Sequence, residues 1–481
     1  MTKFIPKQTN LTLLALASLL GYLVFWLWFP LRPYFNTLPL RDVRTFAPSL
    51  LAGVGYALLL LALFGLYWLA FRAVQMRTVT PSLPFLLGTA VLFAIPLLQT
   101  YPINANDLYR YVIRGRVSSV YEQNPYVAPP DAFPDDPFLP LAGEWASETS
   151  PYGPLWELLA GGITGLTQNN LLAGLLAFKL VGLLAHLFSG WLIWQLLAEA
   201  DAAKQHSFTL LWLWNPALLL MFVVDGHNDV LMMVWQLVAL WFWRQKRPLP
   251  TPLFLLLGAL TKPIGLLPLP FFAVACWQMA HSNAARLKLV GWSVVLGGTA
   301  VFLSFLPFGS PYDLVTRLVS EASGGPGFSP ATLLILLLGE WGQPITPALI
   351  DGVGNLFRLP FILLGVLLAW RGWRYGRSPL KAAAEFMAAY SFQALSFRLW
   401  YSTWPFLWLL LEDETSEPTL SFRLSAGLWS LLLVQLSVLV YGHLRVYALG
   451  GSQLAAHLIG VPLVFVLPLL LGWLSHRRSF S

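Results

Sequence analysis

Apolar runs long enough to cross a bilayer follow one another almost without pause, and that succession leaves this chain few folds to adopt. The first three, at 11–30, 49–71 and 82–100, are separated only by short polar connections. A bilayer core takes about 20 helical residues. In lipid, every backbone N–H and C=O has to be bonded within a helix or a closed barrel. With 57% of residues hydrophobic and 11% charged, against roughly 25% charged in soluble domains, the chain reads as an all-α polytopic membrane protein. Its 22 Trp and 16 Tyr suit repeated bilayer interfaces. The net charge of +7 calls for no nucleic-acid partner, because the basic residues collect beside apolar runs. One cysteine, Cys276, lies inside such a run, which excludes a disulfide framework and a cysteine metal centre. The 11–30 run follows Lys3 and Lys7 and continues as FWLWFPLRPYF with no small-residue cleavage site, so it reads as an uncleaved first span.

Charge asymmetry orients the spans. Lys3, Lys7, Arg72 and Arg77 mark the cytoplasmic side, with RQKR at 244–247, Arg286, Lys288, the patch Arg371, Arg374, Arg377, Lys381, and Arg477 and Arg478. Both termini are then cytoplasmic, and the outer loops include 31–48, 101–154 and 308–330. Arg32, Arg41 and Arg44 in the first outer loop run against the rule. Residues 151–168 read as a short re-entrant helix, and Thr-Lys-Pro at 261–263 breaks the apolar stretch 252–279 into a pair, as proline removes a backbone donor. The sum is about 12–14 helices crossing the cell membrane in a single domain, 1–481, with no internal repeat.

Polar chemistry concentrates at the outer ends of several spans. Asp107, Arg110, Tyr111 and Arg114 fall at i, i+3, i+4 and i+7, one face of an expected helix over 107–121. A carboxylate backed by guanidinium groups suits deprotonation of an acceptor and binding of a phosphate. A surface helix whose ion pairs satisfy one another is the competing account. DGHND at 225–229 gathers Asp225, His227, Asn228 and Asp229, a substrate-contact candidate set against a helix cap or a metal site. Lys262 sits at the helix break, where an ionisable group in a membrane segment is functional by default unless it snorkels to the interface. Arg398 beside Tyr401 reads as a cation in an aromatic belt or at a site. The remaining histidines show no ligand spacing. No Walker loop, G-x-G-x-x-G, G-x-S-x-G or H-E-x-x-H occurs, which argues against an ATP-driven pump and against a serine or zinc hydrolase.

These stretches form a series: Asp107 with Tyr109 and Gly115-Arg116, NPY at 124–126, SPYGPLW at 150–156, WNPALLLMFVVDGHNDVLMM at 214–233, ALTKP at 259–263, LPLPFF at 267–272 and FRLWYSTWPF at 397–406. In order and content the series resembles polytopic glycosyltransferases of the GT-C fold, and within them the polyprenol-phosphate-mannose-dependent alpha-(1→6)-mannosyltransferases. The resemblance runs from about 100 to 410. Two departures stand out: Asp107 is flanked by Asn106 and Leu108 where many GT-C enzymes pair acids, and Val223, Val224 and Asp225 replace a glycine-rich approach to GHND.

The resemblance implies a GT-C-like bundle whose outer loop carries Asp107 as general base. It implies a polyprenyl-phosphate-linked hexose donor, mannose in the family, and transfer to a lipid or glycan hydroxyl with inversion on the outer membrane face. Lys262, Arg398, Arg110 and Arg114 are the candidates for the donor phosphate. Tyr111, Tyr152, Asp225, His227, Asn228, Asp229 and Tyr401 are the candidates for substrate contact. No metal or other cofactor is expected, since a polyprenyl phosphate is already a good leaving group. Gly324, Gly325 and Gly327 mark 308–330 as a lid. A transporter or flippase of a lipid-linked sugar is the alternative class, predicting related halves and polar groups at the midplane. A glycan ligase is a third, predicting an Arg-rich outer loop, where 308–330 has only Arg317.

Overall fold

The computed structural model describes residues 10–322, 327–412 and 420–477. The regular structure is helical, joined by turns and loops, and among the described residues the β-pairing is confined to an isolated bridge between Pro30 and Thr100. Lys3, Lys7, Gly324, Gly325 and Arg478 lie outside the described residues.

Eight of the described helices are long and apolar enough to cross a membrane: Leu11–Trp28, Leu50–Gln75, Leu171–Leu196, Ala202–Val224, Asn283–Phe305, Pro347–Tyr375, Phe422–Tyr447 and Gln453–His476. Four shorter apolar helices accompany them, at Leu83–Leu98, Pro250–Thr261, Pro263–Met279 and Pro330–Glu340. Small polar residues fix the starts. Asn10, Ser49, Asn170, Ser282 and Thr346 each accept a hydrogen bond from a main-chain N–H two or three residues on.

Burial sorts the spans. The apolar window of Ala202–Val224 is buried along its whole length, whereas Asn283–Phe305 and Pro347–Tyr375 bury only 17% of theirs. The first is therefore the central post, and the other two present their apolar surface to lipid. The post bends where its sequence requires it. Pro216 has no N–H to donate, and Asn215 restarts the helix by accepting from Ala217 N at 3.0 Å. Asn215 N turns to Trp212 O, and the carbonyl of Leu211 is taken by the Tyr67 hydroxyl at 2.9 Å. One π-turn later, at Leu220–Val224, the chain leaves the post and delivers DGHND. Gly182 on Leu171–Leu196 makes this possible, since a Cβ there would stand 2.1 Å from Phe222 O.

The expected helix after Asp107 is present, at Asp107–Ser119. Gly115 and Arg116 turn out to be its anchors. A Cβ on Gly115 would meet Ala160 O at 2.6 Å, so the glycine lets Pro154–Thr167 pack backbone to backbone against this helix. Buried Arg116 bonds Asp136 at 2.8 Å and also reaches Gln168 O at 2.8 Å, pinning the outer loop onto the next span. The segment 308–330, read as a polar loop, contains the helix Tyr312–Ala322. Its apolar residues recur at helical spacing, and Arg317 ties it to the loop before Pro154–Thr167 through Glu148 at 3.1 Å.

Candidate active site

The helix break, the Asp107 helix and the FRLWYST turn line one cavity of about 810 Å³, with the DGHND turn behind them. Asp107, Arg110, Arg114, Tyr152, Lys262, Arg398 and Tyr401 all line it. Asp107 occupies the first turn of its helix, where the backbone dipole favours an anion. One turn on, Arg110 Nη1 lies 2.8 Å from Asp107 Oδ1. The Arg110 guanidinium also bonds Asn106 at 3.1 Å and stacks 4.1 Å over the Trp145 ring, so it holds a fixed pose. The Tyr152 hydroxyl donates to the same Asp107 oxygen at 3.5 Å, and His227 Nδ1 stands 3.6 Å from the other.

Burial raises the affinity of the Asp107 carboxyl for a proton, but Arg110, then His227, Lys262 and Arg398, outweigh it and hold the group below its ordinary range. Burial pushes His227 down to about 4, against the pull of Asp107 and Asp229. At neutral pH the pair is therefore an ionised carboxylate beside a neutral imidazole. His227 rests against the Trp400 ring with centroids 4.0 Å apart.

Lys262 does not stand alone in an apolar pocket, as its place in the sequence suggests. Its Nζ bonds Asp229 Oδ2 at 2.7 Å, and the rings of Tyr152, Trp400 and Trp404 surround it at 5.7–5.9 Å. Trp404 Nε1 donates to the other Asp229 oxygen at 2.5 Å. The break that exposes Lys262 is seamed to the Tyr152 turn, because Gly153 N donates to Thr261 O at 3.1 Å and Gly153 packs directly on Leu260 O.

Asp225, His227, Asn228, Asp229 and Tyr111 are fully buried, one layer behind the cavity wall. Asp225 accepts from Asn104 N at 3.3 Å and Asn104 Nδ2 at 3.0 Å, and burial pushes its carboxyl up to about 7. Tyr111 packs on Trp156, with its hydroxyl accepting from Asn228 N at 3.4 Å. Arg114 is buried, reaching Glu148 O at 3.4 Å. Arg398 is exposed to the cavity, and its side chain has no hydrogen bond or ion pair among the described residues.

Several contributors were absent from the sequence candidates. Trp145, Trp400 and Trp404 wall the cavity. Lys179, wholly buried in the Leu171–Leu196 span, donates to Thr100 O at 2.6 Å and Leu97 O at 3.4 Å, fixing the segment that leads to Asp107. Its signal was available, a lone cation within an apolar run. Among the described residues no group of three or more His, Cys, Asp or Glu side chains is arranged to hold a metal ion.

Comparison with known proteins bears on this arrangement. A family model described as "Alpha-(1->6)-mannopyranosyltransferase, N-terminal domain" matches residues 12–278, more than half of the chain. The chain is similar to an alpha-(1->6)-mannopyranosyltransferase B of Corynebacterium glutamicum, 30% identical over 209 residues, covering 42% of this chain and 34% of that protein. It is also similar to an alpha-(1->6)-mannopyranosyltransferase A of Mycobacterium tuberculosis, 26% identical over 339 residues, covering 66% of this chain and 63% of the relative. A probable alpha-(1->6)-mannopyranosyltransferase of Mycolicibacterium smegmatis is 25% identical over 305 residues, 53% and 51% of the two chains. The chain thus spans between about a third and just under two thirds of the length of these curated relatives. No solved structure matches. The matched region carries the Asp107 helix, the DGHND turn and the Lys262 break, and on that match the chain belongs to the alpha-(1->6)-mannopyranosyltransferase family.

Proposed function

We propose that this chain is a membrane glycosyltransferase that moves a hexose, mannose by its family, from a polyprenyl-phosphate-linked donor to a hydroxyl of a lipid or glycan, on the outer face of the cell membrane. The observation that carries this reading is Asp107. It is a carboxylate held ionised on the wall of a large cavity, with tyrosine and tryptophan rings beside it and cations around it. Such a group can take the proton of a hydroxyl as that oxygen attacks.

In the proposed step the acceptor oxygen bonds to the anomeric carbon while the C1–O bond to phosphate breaks on the opposite face, giving inversion. The proton passes to Asp107, and the bonding pair leaves with the phosphate. Arg110 and Tyr152 orient the base. The DGHND residues act through the groups they hold, His227 toward Asp107 and Asp229 toward Lys262. Lys262, Arg398 and Arg114 supply the positive field that a departing phosphate needs, and no metal is required for it. The charge pattern supports cytoplasmic termini.

The test is Asp107→Asn in full-length protein in detergent, assayed with a short-chain polyprenyl-phosphate mannose. Turnover falls about 10²–10⁴-fold, the usual worth of general-base catalysis, while donor binding persists. Near-normal transfer by that variant, with Asp225→Asn or Asp229→Asn inactive, would place the base in the DGHND turn instead.

A further inference from the structure

Three outer-loop arginines contradict the charge rule that orients the rest of the chain, and two of them have local explanations. Arg32 bonds Gln99 at 3.3 Å, and the Arg41 guanidinium lies 3.9 Å over the Tyr34 ring. Arg44 has neither account. It is half-buried, lines the catalytic cavity, and has no hydrogen bond or ion pair among the described residues. Arg445, one helical turn beyond Gly442, lines the same cavity. A Cβ built on Gly442 would lie 4.0 Å from Arg44 Cβ, so the two segments abut with nothing but hydrogen between them. Arg445 spends only Nε, on Tyr441 O at 3.0 Å, and its terminal nitrogens make no bond among the described residues. Asp42, a neighbouring carboxylate that also lines the cavity, is exposed and accepts from Thr45 N at 2.8 Å as a helix cap.

Of the other cations that line the cavity, Lys262 is matched by buried Asp229, Arg110 is bonded to the base itself, and Arg114 reaches Glu148 O. In an inverting displacement the base and the leaving phosphate lie on opposite faces of the anomeric carbon. Arg110, in contact with Asp107, is thereby on the side of attack. Arg398, whose side chain has no hydrogen bond or ion pair among the described residues, acts on Asp107 and so belongs to the same side. A phosphate that gains a full negative charge as C1–O breaks needs guanidinium forks that are not already neutralised. Arg44 and Arg445 offer them, and apolar Val438 and Phe328 line the same cavity, a surface that suits a prenyl chain.

We propose that Arg44 and Arg445 form the clamp that receives the phosphate of the lipid-linked donor and holds it as the sugar departs. The inference rests on the glycosyl-transfer reading above. Without it, the pair is a site for some other lipid-borne phosphate ester.

The test measures binding of short-chain polyprenyl phosphate, the product, to the full-length protein in detergent, for the parent, Arg44→Gln/Arg445→Gln and Gly442→Glu. The last places a carboxylate beside Arg44 from a position whose Cβ meets only ordinary contact distance. Both variants weaken product binding about 10–100-fold, the worth of one or two charge-assisted hydrogen bonds. Their donor KM rises by a similar factor, while thermal unfolding and acceptor KM stay at parental values. A parent that binds polyprenyl phosphate and a double variant that binds it equally well overturn the clamp and leave the glycosyl-transfer reading standing. So does a double variant with normal donor affinity and a raised acceptor KM, which assigns the pair to an anionic acceptor. A parent that binds no polyprenyl phosphate overturns both.

Discussion

Lys262 and Asp229, separated by 33 residues, are joined at 2.7 Å between Nζ and Oδ2, with the carboxylate fully buried and the ammonium 14% exposed. The pair bridges the broken helix and the DGHND turn, so each motif is the other's counter-charge.

Removing one partner strands the other. Lys262→Ala leaves Asp229 with Trp404 as its remaining donor, and the expected loss of stability is up to about 3–5 kcal/mol, the range for an orphaned buried charge. Lys262→Met/Asp229→Asn recovers much of it, because no charge is left behind. Thermal unfolding in detergent, run as a double-mutant cycle, reads the coupling. Equal stability for Lys262→Ala and the parent would mean that the pair contributes nothing.

The pH profile of transfer reports on Arg110. Burial acts on Asp107 to raise its proton affinity, and Arg110 is the first of the charges opposing it. Arg110→Gln therefore raises the pKa of the base, which is then protonated at a higher pH than in the parent. The acid limb of kcat/KM moves upward, while the alkaline side is unaffected. An unmoved acid limb would separate Arg110 from the ionisation of Asp107.

How much of this was legible in the sequence differs from residue to residue. The face carrying Asp107, Arg110, Tyr111 and Arg114 followed from helical spacing, and the break at Thr261-Lys262-Pro263 followed from proline. Lys262's partner did not, because ion pairs between distant turns leave no local periodicity. The Tyr312–Ala322 helix was hidden by the Gly, Ser and Pro around it. Lys179 bonds main-chain carbonyls 79 and 82 residues away, a partnership no side-chain pattern encodes. Arg44 registered only as an exception to a charge rule, and the cavity gave the exception a location.

Gly153 tests the seam between two motifs without touching any cavity side chain. A Cβ at this position would stand 2.0 Å from Leu260 O, a backbone atom that cannot swing aside. Gly153→Ala pushes the Tyr152 turn and the Lys262 break apart, and a shift of about 1 Å lowers turnover on the order of 10²-fold. Gly162→Ala, in the helix that follows and with no atom within 4 Å of its Cβ, is the control and keeps parental activity. The comparison is made on kcat with folding checked by near-UV circular dichroism.

Orientation is checked by thiol labelling in intact cells after Cys276→Ala. Val127→Cys, at a position 61% exposed in the loop that follows the Asp107 helix, reacts with an impermeant reagent added outside. Gln245→Cys, exposed within the basic 244–247 turn, reacts only after permeabilisation. The reverse pattern would put the cavity on the cytoplasmic face.

The neutrality of His227 determines where the chemistry sends its proton. In the proposed reaction Asp107 takes one proton per bond formed, and the arginines around it make that proton easy to lose. The imidazole 3.6 Å away, with its affinity pushed down to about 4, is no place to keep it. The proton passes instead to water at the cavity mouth or to the departing phosphate monoester, whose second pKa is about 6. At a pH well above that value, each sugar added would release close to one proton equivalent on the side the cavity faces, so turnover could be followed with a pH dye on one side of a sealed vesicle.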